Sequence, residues 1–203
     1  MNALSHHIVV AGVGGGVGTT TVASLLFASL AGSNRGAPRL LDHSDGELGL
    51  RLPEGDEVTT IDPSYAIHDL GAHAATEGLE LLARPEVLLV VVAAATRGGV
   101  AVAERLLSTI RDQAGAGGLS RTRVAFVGVF GRHRIHRDSE GLQDRFGRNL
   151  VVLLPQDTAL AAGGRIPTSR QSHHTRAGVT QLVRVITEAM ALQRSAIEST
   201  GDR

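Results

Sequence analysis

The chain has 203 residues, of which 42% are hydrophobic and 20% charged, and its formal net charge is zero. That length supports a substantial core, and neutrality argues against a broad electrostatic footprint for nucleic acid or an anionic membrane. Cysteine is absent, which excludes disulfides and thiolate metal sites, and aromatics at 2% leave the core to aliphatic residues.

The first apolar run, residues 7–11 (HIVVA), leads into a glycine-rich stretch at 12–21 (GVGGGVGTTT). Residues 22–30 then repeat apolar side chains at helical spacing. Strand, glycine turn and helix together aim backbone N–H groups and the positive end of a helix at an anion. The stretch therefore reads as a phosphate loop, with Gly14, Gly15, Gly16, Val17, Gly18, Thr19, Thr20 and Thr21 as the binding residues. Such loops usually end Gly-Lys-Thr, the lysine reaching the β- and γ-phosphates; here Thr19 holds that place. There is no lysine in the chain, so all 20 basic residues are arginine and a second copy could supply none. Abundant Arg, Ala, Gly and Val suggest a GC-rich, actinobacterial genome, but codon bias would exchange Lys for Arg, not for Thr. No basic region precedes an apolar stretch at the N-terminus, so no signal peptide is expected. His6 and His7 are expected at the surface ahead of the first strand.

Two further strands, 39–42 and 65–69, each stop at an aspartate, Asp42 and Asp69. A helix is expected over 75–83. The run 87–95 (VLLVVVAAA) is too short to span a bilayer and reads as a strand buried on both faces, so no membrane insertion and a cytoplasmic location are expected. A helix over 100–113 places Val102, Leu106, Leu107 and Ile110 on one face, followed by a short flexible connection at 114–118. Strands follow at 123–129 and 149–154. A last helix over 179–197 turns Val179, Leu182, Val183, Ile186, Ala189 and Met190 to the core, with Arg184 and Glu188 as an i,i+4 pair. This alternation predicts an α/β fold, a mainly parallel central sheet flanked by helices, as one domain over 1–203 without internal repeats. Ligands bind beyond the carboxyl ends of such strands, where the glycine loop, Asp42 and Asp69 would gather. Each aspartate could instead cap the turn that follows it.

Residues 14–21 (GGGVGTTT) align with the KGGVGKTT loop of the ParA/MinD group of P-loop ATPases, which this chain resembles. Leu41-Asp42 is similar to the switch aspartate after that family's second strand, and residues 67–71 (IHDLG) to the strand-end aspartate of its second nucleotide motif. Pro155-Gln156-Asp157 and residues 161–167 (AAGGRIP) resemble the late IPxD…GxP segment that borders the adenine. TadZ/CpaE-like pilus-localisation proteins and actinobacterial septum-site relatives are members that also have altered loops. The resemblance implies ATP on the glycine loop with Pro155 and Asp157 near the base, Mg²⁺ held by Thr20, Asp42 and Asp69, a protein partner, and a homodimer.

The departures from the family pattern imply loss of hydrolysis. Two family lysines are replaced by Thr19 and Gly14. Ser44 stands where the second carboxylate of Asp-x-Asp would be, with Asp45 one residue late. The chain between Asp42 and Asp69 is short, and no asparagine lies between Arg123 and Arg148. An ammonium about 4 Å from a phosphate oxygen gains roughly 4 kcal/mol at an effective dielectric near 20, and phosphoryl transfer depends on such charge stabilisation. The backbone cradle survives this loss, so the expectation is weak nucleotide binding without fast turnover. The expected role is a nucleotide-responsive adaptor in positioning or assembling a larger machine. Two alternatives are an ATPase using Arg97, Arg132 or a partner's cation, and a nucleotide-free interaction protein whose phosphate pocket is filled by Thr19 or its neighbours. The basic stretch 132–137 (RHRIHR) could touch nucleic acid, an acidic partner or phosphate, or be a solvated loop opening the next helix. His133 with His136, and His173 with His174, lack the cysteine or carboxylate company of a metal site, and no Ser-His-Asp arrangement is discernible.

Overall fold

The structure, a computed structural model, describes residues 6–32, 36–44, 48–53, 60–129, 134–161 and 163–201. Asp45, Arg132 and His133 lie outside the described residues. Six strands form one parallel sheet: β1 (His6–Gly12), β2 (Ala37–Asp42), β3 (Ile61–Asp69), β4 (Val87–Ala94), β5 (Thr122–Val129) and β6 (Val151–Pro155). Their order is β2-β3-β1-β4-β5-β6.

The strands are continuous apolar runs because helices cover both faces of the sheet. Along β4, Leu88, Val90 and Val92 enter a core beneath α1 (Thr19–Ala31) and α7 (His173–Gly201). The alternate residues Leu89, Val91 and Ala93 enter a second core beneath α4 (Arg97–Ser120) and α5 (Arg134–Phe146). The helix after β1 thus leaves toward one face and the helix after β4 toward the other, although β1 and β4 are neighbours. In open α/β sheets ligands bind at such a divergence, beyond the carboxyl ends of the strands.

Four sequence expectations are corrected. His6 is part of β1 and is only 1% exposed. The end of α7 folds over it: Arg194 Nε donates to His6 Nε2 at 3.4 Å, and the imidazole stacks on Tyr65. Helix α3 covers only Glu77–Leu81, because the preceding residues are committed elsewhere: Leu70 N–H donates to Val10 O (2.9 Å) and Ala74 N–H to Gly12 O (3.2 Å). The connection expected at 114–118 is a kink in α4 at Gly115 (φ +61°), after which helical structure resumes to Ser120. Helix α7 also starts earlier than expected, at His173, where the Ser172 hydroxyl accepts the N–H of Thr175 at 3.1 Å. Short helices α2 (Leu48–Arg51) and α6 (Thr158–Ala161) complete the carboxyl end of the sheet. Among the described residues, no helix is long and apolar enough to cross a membrane.

Candidate phosphate-binding site

The glycine loop joins β1 to α1 at the point where the helices diverge. Gly18, the residue before α1, has φ +91°, a left-handed conformation that glycine adopts without strain. At Gly12 the constraint is space. A β-carbon there would overlap the Thr19 hydroxyl and lie 2.8 Å from Val17 Cγ2. Thr19, which stands where a lysine would reach outward, therefore turns its hydroxyl in beneath the loop and is 7% exposed. The crown is different, since β-carbons on Gly14, Gly15 and Gly16 would meet nothing within 4 Å. The first amide of α1 bonded in helical register is Val22 N–H, to Gly18 O at 3.0 Å. The N–H groups of Thr19, Thr20 and Thr21 precede that bond and belong to the donor-rich end of the helix.

The turn after β3 braces the loop, with Gly12 N–H donating to Gly71 O at 2.6 Å. Asp69 is fully buried; its Oδ1 accepts Gly71 N–H at 3.0 Å, while its Oδ2 has no hydrogen-bond partner. An unpaired carboxylate oxygen at such depth is costly unless it meets a cation, a proton or water. Asp42 is its register partner on β2 but is exposed and fully engaged. Its Oδ1 accepts Ser44 N–H (2.9 Å) and Ser44 Oγ–H (2.8 Å), and its Oδ2 accepts Leu48 N–H at 3.4 Å. Burial alone would raise the Asp42 pKa, but these donors outweigh it and hold the carboxyl below its ordinary value. Asp42 thus ties together the turn that follows it.

Pro155 ends β6 beside Val129. The carboxylate of Asp157, two residues on, is taken up by the protein. Oδ1 accepts Ala159 N–H (2.9 Å), and Oδ2 accepts Ser172 N–H (2.8 Å) and Thr175 Oγ–H (2.6 Å). Burial opposes these bonds, yet they hold its pKa below the ordinary value. Asp157 fastens the start of α7 to the end of β6.

Arg51, which sequence reasoning missed, reaches the site from α2. Its Nε–H donates to Thr21 Oγ1 at 3.1 Å, one NH1 hydrogen to Gly164 O at 2.9 Å, and one NH2 hydrogen to Leu160 O. Every one of these acceptors is neutral, and burial lowers the guanidinium's pKa. A lone arginine in a four-residue helix has no periodicity to announce it. Arg97, anticipated as a possible substitute cation, is exposed at the start of α4.

A line of histidines, also missed, crosses the sheet face opposite α1. His7 Nδ1 lies 2.9 Å from His68 Nε2, and His68 Nδ1 lies 3.0 Å from His43 Nε2. The central ring spends one nitrogen on each neighbour, so three nitrogens do not converge on one point. Among the described residues no group of three or more His, Cys, Asp or Glu side chains is placed to hold an ion. His136, on α5, and the exposed edge-to-face pair His173 and His174 likewise form no such group.

A parallel six-stranded sheet with a glycine loop feeding the helix after its central strand is the P-loop NTPase architecture, here in its ParA-like form. The chain is similar to a ParA family ATPase from Chlorobium tepidum TLS, with a TM-score of 0.60 and 16% identity over 92% of this chain and 99% of that one. It is also similar to apo McdA from Cyanthece, with a TM-score of 0.52 and 13% identity over the same shares. At such identities the likeness establishes the fold alone. No family model and no curated protein matches the chain.

Proposed function

We propose that this chain is a ParA/MinD-like domain that binds a nucleotide weakly, hydrolyses it slowly or not at all, and acts as a nucleotide-responsive adaptor. Its setting would be the positioning or assembly of a larger machine, such as a secretion, pilus, conjugation or septum apparatus. That setting rests on fold analogy. The chemical part rests on one observation: the loop with the open glycine crown is braced by a turn that begins at a fully buried Asp69 whose Oδ2 lacks a partner.

Backbone amides of Gly15–Thr20 can hold a polyphosphate whatever the side chains are. The orphaned Asp69 oxygen fits a hydrated Mg²⁺, with the Thr20 hydroxyl as a second oxygen ligand. Asp42 would first have to release Ser44 and Leu48. Pro155 would border the base, whose polar edge would be read by main chain because Asp157 is occupied. What the site lacks is the mobile cation that offsets charge during phosphoryl transfer, since Thr19 turns away beneath the loop.

Calorimetry with ATP and Mg²⁺ tests the reading, with a phosphate-release assay beside it. The expected result is measurable heat, abolished by Gly16→Glu, with little phosphate released. Absence of heat with either ATP or ADP would sink it in favour of a nucleotide-free interaction protein. Rapid turnover by the purified chain would sink it in favour of a working ATPase. Light scattering with and without nucleotide would report whether binding drives a homodimer.

A further inference from the structure

We infer that Arg51 is the counter-charge of the glycine loop, so that an anionic ligand seated against the first turn of α1 is held laterally by this guanidinium. The inference rests on the proposed nucleotide-binding reading and names the cation that reading leaves unassigned.

Three observations carry it. Arg51 contacts the loop's own helix, through Nε–H to the Thr21 hydroxyl. Its remaining described acceptors are the carbonyls of Leu160 and Gly164, so among the described residues no carboxylate neutralises it. A half-buried cation surrounded by neutral oxygens is an unbalanced charge, and such charges recruit a counter-ion. Of its five N–H groups three are used here, leaving two for an incoming oxygen.

The surrounding backbone determines what that oxygen belongs to. Arg51 comes from the connection after the edge strand β2, and Leu160 and Gly164 from the connection after the opposite edge strand β6. The two connections meet beside α1, where Pro53 and Ile166 also form a β-bridge. An anion reaching Arg51 from the glycine crown lies alongside Thr21 and runs toward residues 160–164. That path suits a chain of phosphates with a group attached, a nucleoside di- or triphosphate, better than an isolated phosphate ion. Arg51 would serve binding and the coupling of those two connections.

Titration of MgADP, MgATP and magnesium pyrophosphate into wild type, Arg51→Gln and Arg51→Lys, at low and high salt, tests this. The nucleotides should bind wild type more tightly than pyrophosphate. Arg51→Gln should weaken nucleotide binding roughly ten- to a hundredfold, the usual range for losing a charge-assisted hydrogen bond. Arg51→Lys, which keeps the charge but not the fork, should recover most of that loss, and the wild-type advantage should shrink in high salt. Equal losses in the Gln and Lys variants would make Arg51 a structural pin and overturn the inference, as would unchanged or tighter binding by Arg51→Gln. If wild type binds none of the three ligands, the nucleotide-binding reading itself fails and takes this inference with it, a result distinct from binding that ignores Arg51.

Discussion

Asp69 and Asp42 end neighbouring strands in the same register, yet they have opposite surroundings. Asp69, on an inner strand, is walled in by the turn that holds Gly12 and keeps one oxygen without a partner. Asp42, on the edge strand, is exposed and accepts three hydrogen bonds from the residues that follow it. A carboxylate with several donors shapes a turn, whereas one held incomplete in the interior costs stability unless it meets a cation, a proton or water. On the proposed reading, Asp69 at the β3–β1 junction is therefore the carboxylate placed to meet a ligand, and Asp42 shapes the turn after the edge strand.

The largest expected effect comes from Asp69→Asn. It keeps the side chain's shape and removes the buried charge, so MgATP affinity measured by calorimetry should fall at least about tenfold. The thermal midpoint should stay level or rise, because an unpaired buried carboxylate opposes folding. Wild-type affinity in this variant would leave Oδ2 without a role toward ligand. Asp42→Ala should behave the other way round: about 1 kcal/mol of stability lost in urea unfolding, as for other capping carboxylates, with nucleotide affinity within about threefold of wild type. Parallel losses of affinity in the two variants would mean that Asp42 lets go of Ser44 when a ligand arrives.

Acid should separate the two faces of these strand ends. Burial, followed by the nearby His7, His43, Arg84 and Arg39, lowers the His68 pKa from 6.5 to about 4. Glu86 is the carboxylate that acts in the opposite sense on His7. Between those two values the unfolded chain binds more protons at His68 than the folded one does, so this contribution to stability is complete above pH 6.5 and drains away as pH falls toward 4. Asp42 and Asp157 have folded values below 3.8, so their contributions persist above that pH and are lost only in stronger acid. Unfolding followed against pH should show two limbs. His68→Phe should shrink the upper limb, to which His6 and His7 also contribute because burial lowers their pKa values, and Asp42→Ala should shrink the lower, which Asp157 shares. Because His68 is only partly buried, the upper limb should be modest.

The strands and the loop could be read from the sequence because each is a local pattern: an apolar run, a glycine cluster, a strand-end aspartate. What stayed hidden depends on register and on distant partners. His7, His68 and His43 are scattered in the chain and meet only because β1, β3 and β2 lie side by side. Arg51 bonds to residues 30, 109 and 113 positions away. His6 looked like a solvated residue because nothing nearby announces that α7 returns to cover it. Capping and metal binding demand the same residue at the same place, so Asp42 and Asp69 were indistinguishable until their hydrogen bonds could be counted.

The smallest effect is the most discriminating. Ser44 supplies two of the three donors to Asp42, and its Cβ would lie 3.0 Å from a β-carbon placed on Gly71, whose N–H bonds to Asp69. The two turns therefore touch through this residue, beside the bond from His43 N–H to Asp69 O at 2.9 Å. Ser44→Ala keeps that Cβ contact and the backbone donor and deletes only the hydroxyl. It should cost roughly 0.5 kcal/mol and move the Asp42 pKa upward in an NMR titration. If the aspartates act separately, nucleotide affinity will not change. A shift in affinity larger than this small loss of stability would mean that the serine transmits the state of one carboxylate to the other, and that the edge strand takes part in ligand binding.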